Sequence, residues 1–477
     1  MNVSRRIAEP LIALDAPIRC HIVGIGGPGM SAIGRLLLEM GHSVSGSDVR
    51  ESEVIDELRQ RGAKISIGHQ ESAVHGADVV TYSTAIPSSN VELVEAGRIG
   101  IETRHRSGML ASLCAVTRAV GVAGTHGKTT TTALITAMTA AGDLHPSSII
   151  GADVLGGNGN VHGNGSLLVI EADESDGTHE QLPLGAVIVT NIDIDHLDHF
   201  STFDNMVESF ERLINAVAGP SVVCADDASL SAIALKHNVT TYAIHSPAQF
   251  TARNVQFHDG GSTFDVLHHE VSGDNGLLLG RVALQLRGEH NVANALGVIA
   301  MSKLLGVEFG VISSALVAFS GVSRRFDQRG NDNGVSFVDD YAHLPTEISA
   351  VLSSCRDETD SWKRVIAVFQ PNRFNRMQHM SDTYADCFAA ADHVVITDIY
   401  SSGTTPIAGV TGKLVVDAIA RAHPNTSLAW KPTRAELIQH LATELRSGDL
   451  CISMGCGDIE TLPDEVITAR RALRGGS

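Results

Sequence analysis

The stretch AVGVAGTHGKTTTTALITAM, residues 119–138, decides the fold. Ala119 to Ala123 read as a buried strand, and Leu134, Ile135, Met138 and Ala141 mark the apolar side of a helix. Between them lies Gly124-Thr125-His126-Gly127-Lys128-Thr129-Thr130. A strand that runs through such a turn into a helix can cradle phosphate. Successive N–H groups surround the anion, Lys128 reaches its terminal oxygens, and Thr129 offers a hydroxyl to Mg2+. The strict GxxxxGK[ST] string is not kept: Val122 stands where the first glycine belongs, flanked by Gly121 and Gly124.

Upstream, the same strand–turn–helix logic occurs a second time. His21 to Ile25 read as a strand, followed by Gly24-x-Gly26-x-x-Gly29. Ile33, Leu36, Leu37 and Met40 then fall on one helix face. Asp48 ends the next strand, Ser43 to Ser47, where a carboxylate can accept from ribose hydroxyls. By itself this turn suits NAD as well as any other pyrophosphate.

Downstream, apolar strands continue in α/β alternation: Leu167 to Glu171, Ala186 to Thr190 and Ser221 to Cys224. Two of them run into acidic loops, Glu171-Ala172-Asp173-Glu174-Ser175-Asp176 and Asp193-Ile194-Asp195-His196-Leu197-Asp198-His199. Residues past the carboxyl ends of parallel strands line the ligand crevice, so both loops are candidates for a metal near Lys128. Gly151 to Ser166 is rich in Gly and Asn and reads as a loop. Gln249 to Gly288 reads as hairpins around the turn Asp259-Gly260-Gly261. A third α/β region opens near Phe326, with strands Val335 to Asp339, Arg364 to Phe369, His393 to Asp398 and Asp449 to Ser453.

Length and composition agree. At 477 residues the chain has room for about three domains. With 35 Lys+Arg against 54 Asp+Glu, the net charge of −19 argues against a broad nucleic-acid surface. No apolar run is long enough to span a bilayer. Seven scattered cysteines form no zinc pattern, which suits reduced thiols in a cytoplasmic protein.

Nine ordered strings complete the reading: GIGGPGMSAIG (24–34), AGTHGKTTTT (123–132), EADESD (171–176), TNIDIDHLDHF (190–200), GEHNVANAL (288–296), GVSRRFD (321–327), DDYAHLPTE (339–347), FQPNRFNR (369–376) and MGCGDI (454–459). Together they resemble the Mur ligases, the ATP-dependent amide-forming enzymes of peptidoglycan synthesis, and within them the alanine-adding branch. The resemblance implies three α/β domains. These are an N-terminal Rossmann-like UDP-sugar domain (18–115), a central P-loop ATP domain with a small antiparallel β section (116–322), and a C-terminal Rossmann-like domain contacting the amino acid and ATP (323–477). It implies amide formation between the lactyl carboxylate of UDP-N-acetylmuramate and L-alanine, through an acyl phosphate, with ATP and Mg2+. The setting implied is the bacterial cytoplasm, as a monomer or homodimer, without nucleic acid or membrane.

The resemblance also assigns residues. Gly24, Gly26, Gly27, Gly29, Met30, Ser31, Asp48, Ser83 and Thr84 would hold the UDP-sugar, which replaces NAD as the expected ligand. Gly124, Thr125, His126, Gly127, Lys128, Thr129, Thr130, His290, Asn291, Asn294, Arg325 and Asp340 would hold ATP. Thr129, Glu174 and His196 would bind the metal, with Glu171 behind Glu174. Lys128, Glu174, His196 and His343 would act in catalysis, Asp340 and His343 reaching the nucleotide from the third domain as the domains close. Arg373, Arg376 and Tyr341 would meet the amino acid or substrate phosphates.

Three departures concern that last group. The family usually carries histidine where Asn372 and Leu344 stand, and an acidic residue where Thr404 stands. No lysine occurs between Lys128 and Lys236, so the carbamylated lysine of related ligases has no counterpart. Two other readings compete. A recycling ligase would join the UDP-sugar to a preformed peptide, although FQPNRFNR favours the alanine-adding branch. A nucleotide-sensing or dehydrogenase-like protein would have no need of Asp340, His343, Arg373 and Arg376 in these contexts.

Overall fold

The computed structural model describes residues 10–152, 154–155, 163, 165–258, 260–270, 275–356 and 362–475. Most of the Gly/Asn-rich stretch 151–166, and Asp259 of the hairpin turn, lie outside them.

Three sheets carry the chain. The first holds β1 (Arg19–Val23), β2 (Ser43–Asp48), β3 (Lys64–Ile67), β4 (Val79–Tyr82) and β5 (Glu102–His105), in the order β3-β2-β1-β4-β5. All its pairings are parallel. The order reverses at β1/β4, the kind of switch point where such sheets bind ligands beyond the strand ends.

The second sheet holds β6 (Arg118–Ala123), β7 (Ser147–Ile149), β8 (Leu167–Glu171), β9 (Ala186–Val189), β10 (Ser221–Cys224), β11 (Thr240–Ala243), β12 (Phe250–His258), β13 (Gly261–His268) and β14 (Leu277–Leu284). Its order is β14-β13-β12-β11-β10-β9-β6-β8-β7. β6 lies between β8 and β9, so its outflow meets both acidic loops. The two-residue link from β12 to β13 permits only an antiparallel hairpin, as the sequence predicts.

The third sheet holds β15 (Asp327–Asp332), β16 (Val335–Asp340), β17 (Arg364–Phe369), β18 (His393–Ile396), β19 (Leu428–Trp430) and β20 (Asp449–Met454), in the order β15-β16-β20-β17-β18-β19. β15 is its antiparallel edge.

Two compact units divide the chain: residues 1–253, 265–282 and 293–319 form one, and 254–264, 283–292 and 320–477 the other. The core of the second unit is made by apolar strands with no alternation, such as Val365 to Phe369, wholly buried between helices. No helix among the described residues is long and apolar enough to cross a membrane.

Candidate functional site

In the first unit the lysine-bearing turn is fixed by contacts that only glycine allows. Gly124 has φ +127°, and a β-carbon there would lie 2.1 Å from Thr190 Oγ1. Gly127 has φ +80° and faces Asn294, whose Oδ1 would be 2.7 Å from its β-carbon. The displaced glycine has its own cause: Gly121 sits inside β6, where a β-carbon would strike Leu184 Cδ1 at 2.3 Å.

Asn191 braces the turn from the end of β9. Its Oδ1 accepts from His126 N–H at 2.9 Å and its Nδ2 donates to His126 C=O at 3.1 Å. Thr190 Oγ1 donates to the same carbonyl at 2.6 Å, and His126 Nε2 lies 2.9 Å from Asp193 Oδ2. Sequence reasoning missed Asn191. Its only signal was its place between the strand and the acidic loop.

Lys128 opens helix Lys128–Ala141, and its ammonium donates to Gly124 C=O at 2.6 Å and Thr125 C=O at 3.2 Å. It also meets both oxygens of buried Glu174, at 2.9 and 2.8 Å. Burial acts to lower the lysine's pKa, but Glu174, Asp173 and Glu171 together raise it above the ordinary value. Burial, aided by repulsion from Asp173, pushes the Glu174 carboxyl up to about 7 against the pull of Lys128. A single cation thus faces several carboxylates, and a negative excess remains.

That excess, beside the Thr129 hydroxyl, suits a divalent cation. Among the described residues no three His, Cys, Asp and Glu side chains form a ready metal cluster. The expected set contains only two of these types, Glu174 and His196. Mg2+ commonly needs no more, since substrate phosphates and water complete its shell. His196 is held at φ +51°, with Nε2 3.1 Å from Asp195 Oδ2, a partner of the kind that orients a ligating imidazole. Glu171 Oε1 accepts from Gly151 N–H at 2.9 Å, which ties it to the neighbouring loop.

The first glycine turn lies in the same unit. Gly24 and Ile25 donate to Ser47 C=O at 2.8 and 3.1 Å, and helix Pro28–Glu39 starts directly after Gly27. Asp48 Oδ2 accepts from Gly26 N–H at 2.9 Å, and its Oδ1 from Val49 N–H at 2.7 Å. Asp48 therefore acts first as a brace for the turn. Ser83 and Thr84 follow β4 at the same sheet edge. Met30 and Ser31 are buried, so their side chains face the core, not open solvent.

In the second unit Asp340 ends β16. Its oxygens accept from Phe326 and Ala342 N–H, each at 2.7 Å, and burial pushes its carboxyl up to about 6 against the pull of Arg325. The Tyr341 ring lies 5.0 Å from each of the Arg324 and Arg325 guanidinium carbons. Arg324 is also tied to Asp339, Glu460 and Gly455 C=O. His343 Nδ1 lies 3.1 Å from Tyr341 C=O and 3.4 Å from Glu347 Oε2. Exposed His290 contacts Asn291 Nδ2 at 3.1 Å, and Asn291 donates to Arg287 C=O at 2.8 Å.

Two of the three departures from the family pattern gather around the two arginines. Asn372 Oδ1 accepts from Arg376 Nη1 at 2.8 Å, and Thr404 Oγ1 accepts from Phe374 N–H at 3.0 Å. Arg373, at φ +62°, donates its N–H to Tyr400 C=O. Leu344 is buried beside His343, and Glu347 Oε2 accepts from the backbone N–H of both. Cys451 is buried, which raises its thiol to about 12. The partly buried Cys456 is also raised by burial.

Comparison with known proteins covers nearly the whole chain. Residues 19–118 match the Mur ligase family, catalytic domain; 122–302 match the Mur ligase middle domain; and 324–457 match the Mur ligase, glutamate ligase domain. A UDP-N-acetylmuramate–L-alanine ligase of Geotalea daltonii is 38% identical over 95% of this chain and 98% of its own. One from Nitrobacter winogradskyi is 40% identical over 92% and 95%. The crystal structure of a UDP-N-acetylmuramate–alanine ligase from Thermotoga maritima superposes with a TM-score of 0.77 at 25% identity, over 96% of this chain and all of that one.

Proposed function

We infer the activity from one premise: the chain belongs to the Mur ligase family. It joins L-alanine to the lactyl carboxylate of UDP-N-acetylmuramate, with ATP, in peptidoglycan precursor synthesis. The observation that carries the chemistry is Lys128, anchored by two turn carbonyls and facing buried Glu174 at the end of the turn. The lactyl carboxylate attacks the γ-phosphorus and ADP leaves, giving an acyl phosphate. The alanine amine then attacks the acyl carbon, and phosphate leaves from the tetrahedral intermediate.

Negative charge grows on the phosphoryl oxygens and departing ADP in the first step, and on the acyl oxygen and departing phosphate in the second. Lys128 and the N–H groups at the start of helix Lys128–Ala141 meet it from fixed positions, on a turn held by Asn191 and Thr190. When bound, Mg2+ on Thr129, Glu174 and His196 supplies further charge neutralisation. The UDP-sugar belongs to the Gly24–Gly29 turn, with Asp48 shaping the turn and Ser83 and Thr84 at its edge. His290, Asn291, Asn294, Arg325 and Asp340 are assigned to ATP. His343, Tyr341, Arg373 and Arg376 are assigned to the acyl and amino-acid end. The boundaries 18–115, 116–322 and 323–477, and a cytoplasmic setting, belong to the same proposal.

Purified protein tests it by equilibrium binding: UDP-N-acetylmuramate should bind the first glycine turn, and NAD should not displace it. Tight NAD binding that no UDP-sugar displaces would refute the substrate assignment.

A further inference from the structure

Arg106 opens helix Arg106–Ala115, directly after β5. β5 runs parallel to β4, with His105 opposite Tyr82. Arg106 therefore leaves the sheet at the edge that carries Ser83, Thr84 and the glycine turn. Its side chain reaches back across that edge: a β-carbon built on Gly29 would lie 3.5 Å from Arg106 Nη1 and 3.7 Å from Cδ. The guanidinium thus covers the first turn of helix Pro28–Glu39, where unpaired N–H groups and the helix dipole already favour an anion.

Several partly buried arginines here are matched to carboxylates: Arg35 to Glu57, Arg324 to Asp339, Arg364 to Asp449. Arg106 is also partly buried, yet among the described residues its side chain makes no hydrogen bond or ion pair. Holding a guanidinium half out of water without an acceptor is unfavourable, and a bound oxyanion removes that cost. Helix Arg106–Ala115 also packs against the turn Thr178–Gln181, below the acidic loop.

We propose that Arg106 is a substrate-binding residue, its guanidinium donating to the pyrophosphate oxygens of the UDP-sugar seated on the Gly24–Gly29 turn. The proposal rests on the ligase reading above and adds a residue to it. The planar donor fork matches two phosphate oxygens at once, which a lysine ammonium does so less well.

The test compares full-length wild type, Arg106→Ala and Arg106→Lys. It measures kcat, KM for UDP-N-acetylmuramate and for ATP, direct binding of UDP, and thermal stability. Arg106→Ala should raise KM for the UDP-sugar and the Kd for UDP by about 10–100-fold, the loss expected for a charge-assisted hydrogen bond. kcat, the ATP KM and the melting temperature should stay near wild type, and Arg106→Lys should recover part of the loss. UDP affinity unchanged within twofold in Arg106→Ala would overturn the proposal. So would an equal rise in the ATP KM, which would mark a general disturbance of the fold. If wild type binds neither UDP nor UDP-N-acetylmuramate, the ligase reading fails with it. That result is distinct from a wild type that binds and an alanine variant that binds equally well.

Discussion

Removing Lys128 should damage stability in a pH-dependent way that reports on Glu174. In the wild type the folded-state carboxyl titrates at about 7, above the ordinary glutamate value of 4.5. The folded chain then holds this proton more tightly than the unfolded chain. Stability from the protonated carboxyl is full below about 4.5 and is lost as pH rises toward 7, where the ionised group settles against Lys128. In Lys128→Ala that carboxylate has no adjacent cation and stays protonated to higher pH. Where the wild type levels off, the variant keeps losing stability, by about 1.4 kcal/mol per pH unit. The variant also forfeits the ammonium's bonds to Gly124 and Thr125, together about 1–2 kcal/mol. The expected deficit is about 1–2 kcal/mol at pH 6 and about 3 kcal/mol at pH 8, with the fold intact. Turnover should fall by at least about 10³-fold, since the lost charge acts on the transition state. Denaturant melts at pH 6, 7, 8 and 9 without nucleotide measure the first effect, and phosphate release the second. Lys128→Ala/Glu174→Gln should abolish the pH slope without restoring activity. A deficit independent of pH would refute the electrostatic account, and near-normal ligation by Lys128→Ala would refute the phosphate-loop assignment.

Three other perturbations test separate parts of the account. Gly127→Ala should cost about 1–2 kcal/mol in left-handed strain and press on Asn294; its ATP KM should rise about tenfold or more, while a value near wild type would show that the turn tolerates a β-carbon. Asp48→Ala frees the Gly26 N–H, so the UDP-sugar KM should rise several-fold with the ATP KM unchanged. Hydrogen bonding from Arg474, helped by Arg470, holds the Asp332 carboxyl at about 2, so its stabilisation is present above about pH 4 and disappears as pH falls toward 2. Asp332→Asn should accordingly lower the melting temperature at pH 7 and leave it unchanged near pH 2; equal losses at both would reject the ion-pair explanation.

Much of the geometry of the lysine-bearing turn was legible because it depends on backbone shape, and backbone shape is written in glycines. Gly124 and Gly127 adopt left-handed conformations in the turn that the sequence singles out. The strands that lead to it, buried on both faces, are equally plain as apolar runs. The edges were not. β3, β5 and β19 are only three or four residues long and largely unburied, too short for a run or an alternation to stand out from chance. Arg106 follows one of them and was invisible for that reason.

Asn191 and Asp48 work by hydrogen-bonding the backbone of a turn distant in sequence, and composition gives no sign of such a bond. The adjacent pair Arg324 and Arg325 could be separated only by their partners. Arg324 is committed to Asp339, Glu460 and a backbone carbonyl, while Arg325 lies over Tyr341 beside Asp340. Asn372 and Thr404 stood out as departures, yet their bonds to Arg376 and to the Phe374 N–H became visible only in three dimensions.

The central claim is the identity of the acceptor. Phosphate release by purified protein should be followed with ATP, Mg2+ and UDP-N-acetylmuramate, with and without L-alanine, glycine, L-serine or a short wall peptide. The account predicts release that requires both the UDP-sugar and an amino acid, with L-alanine the best acceptor. Release with the peptide but not with L-alanine, or with no acceptor at all, would contradict it.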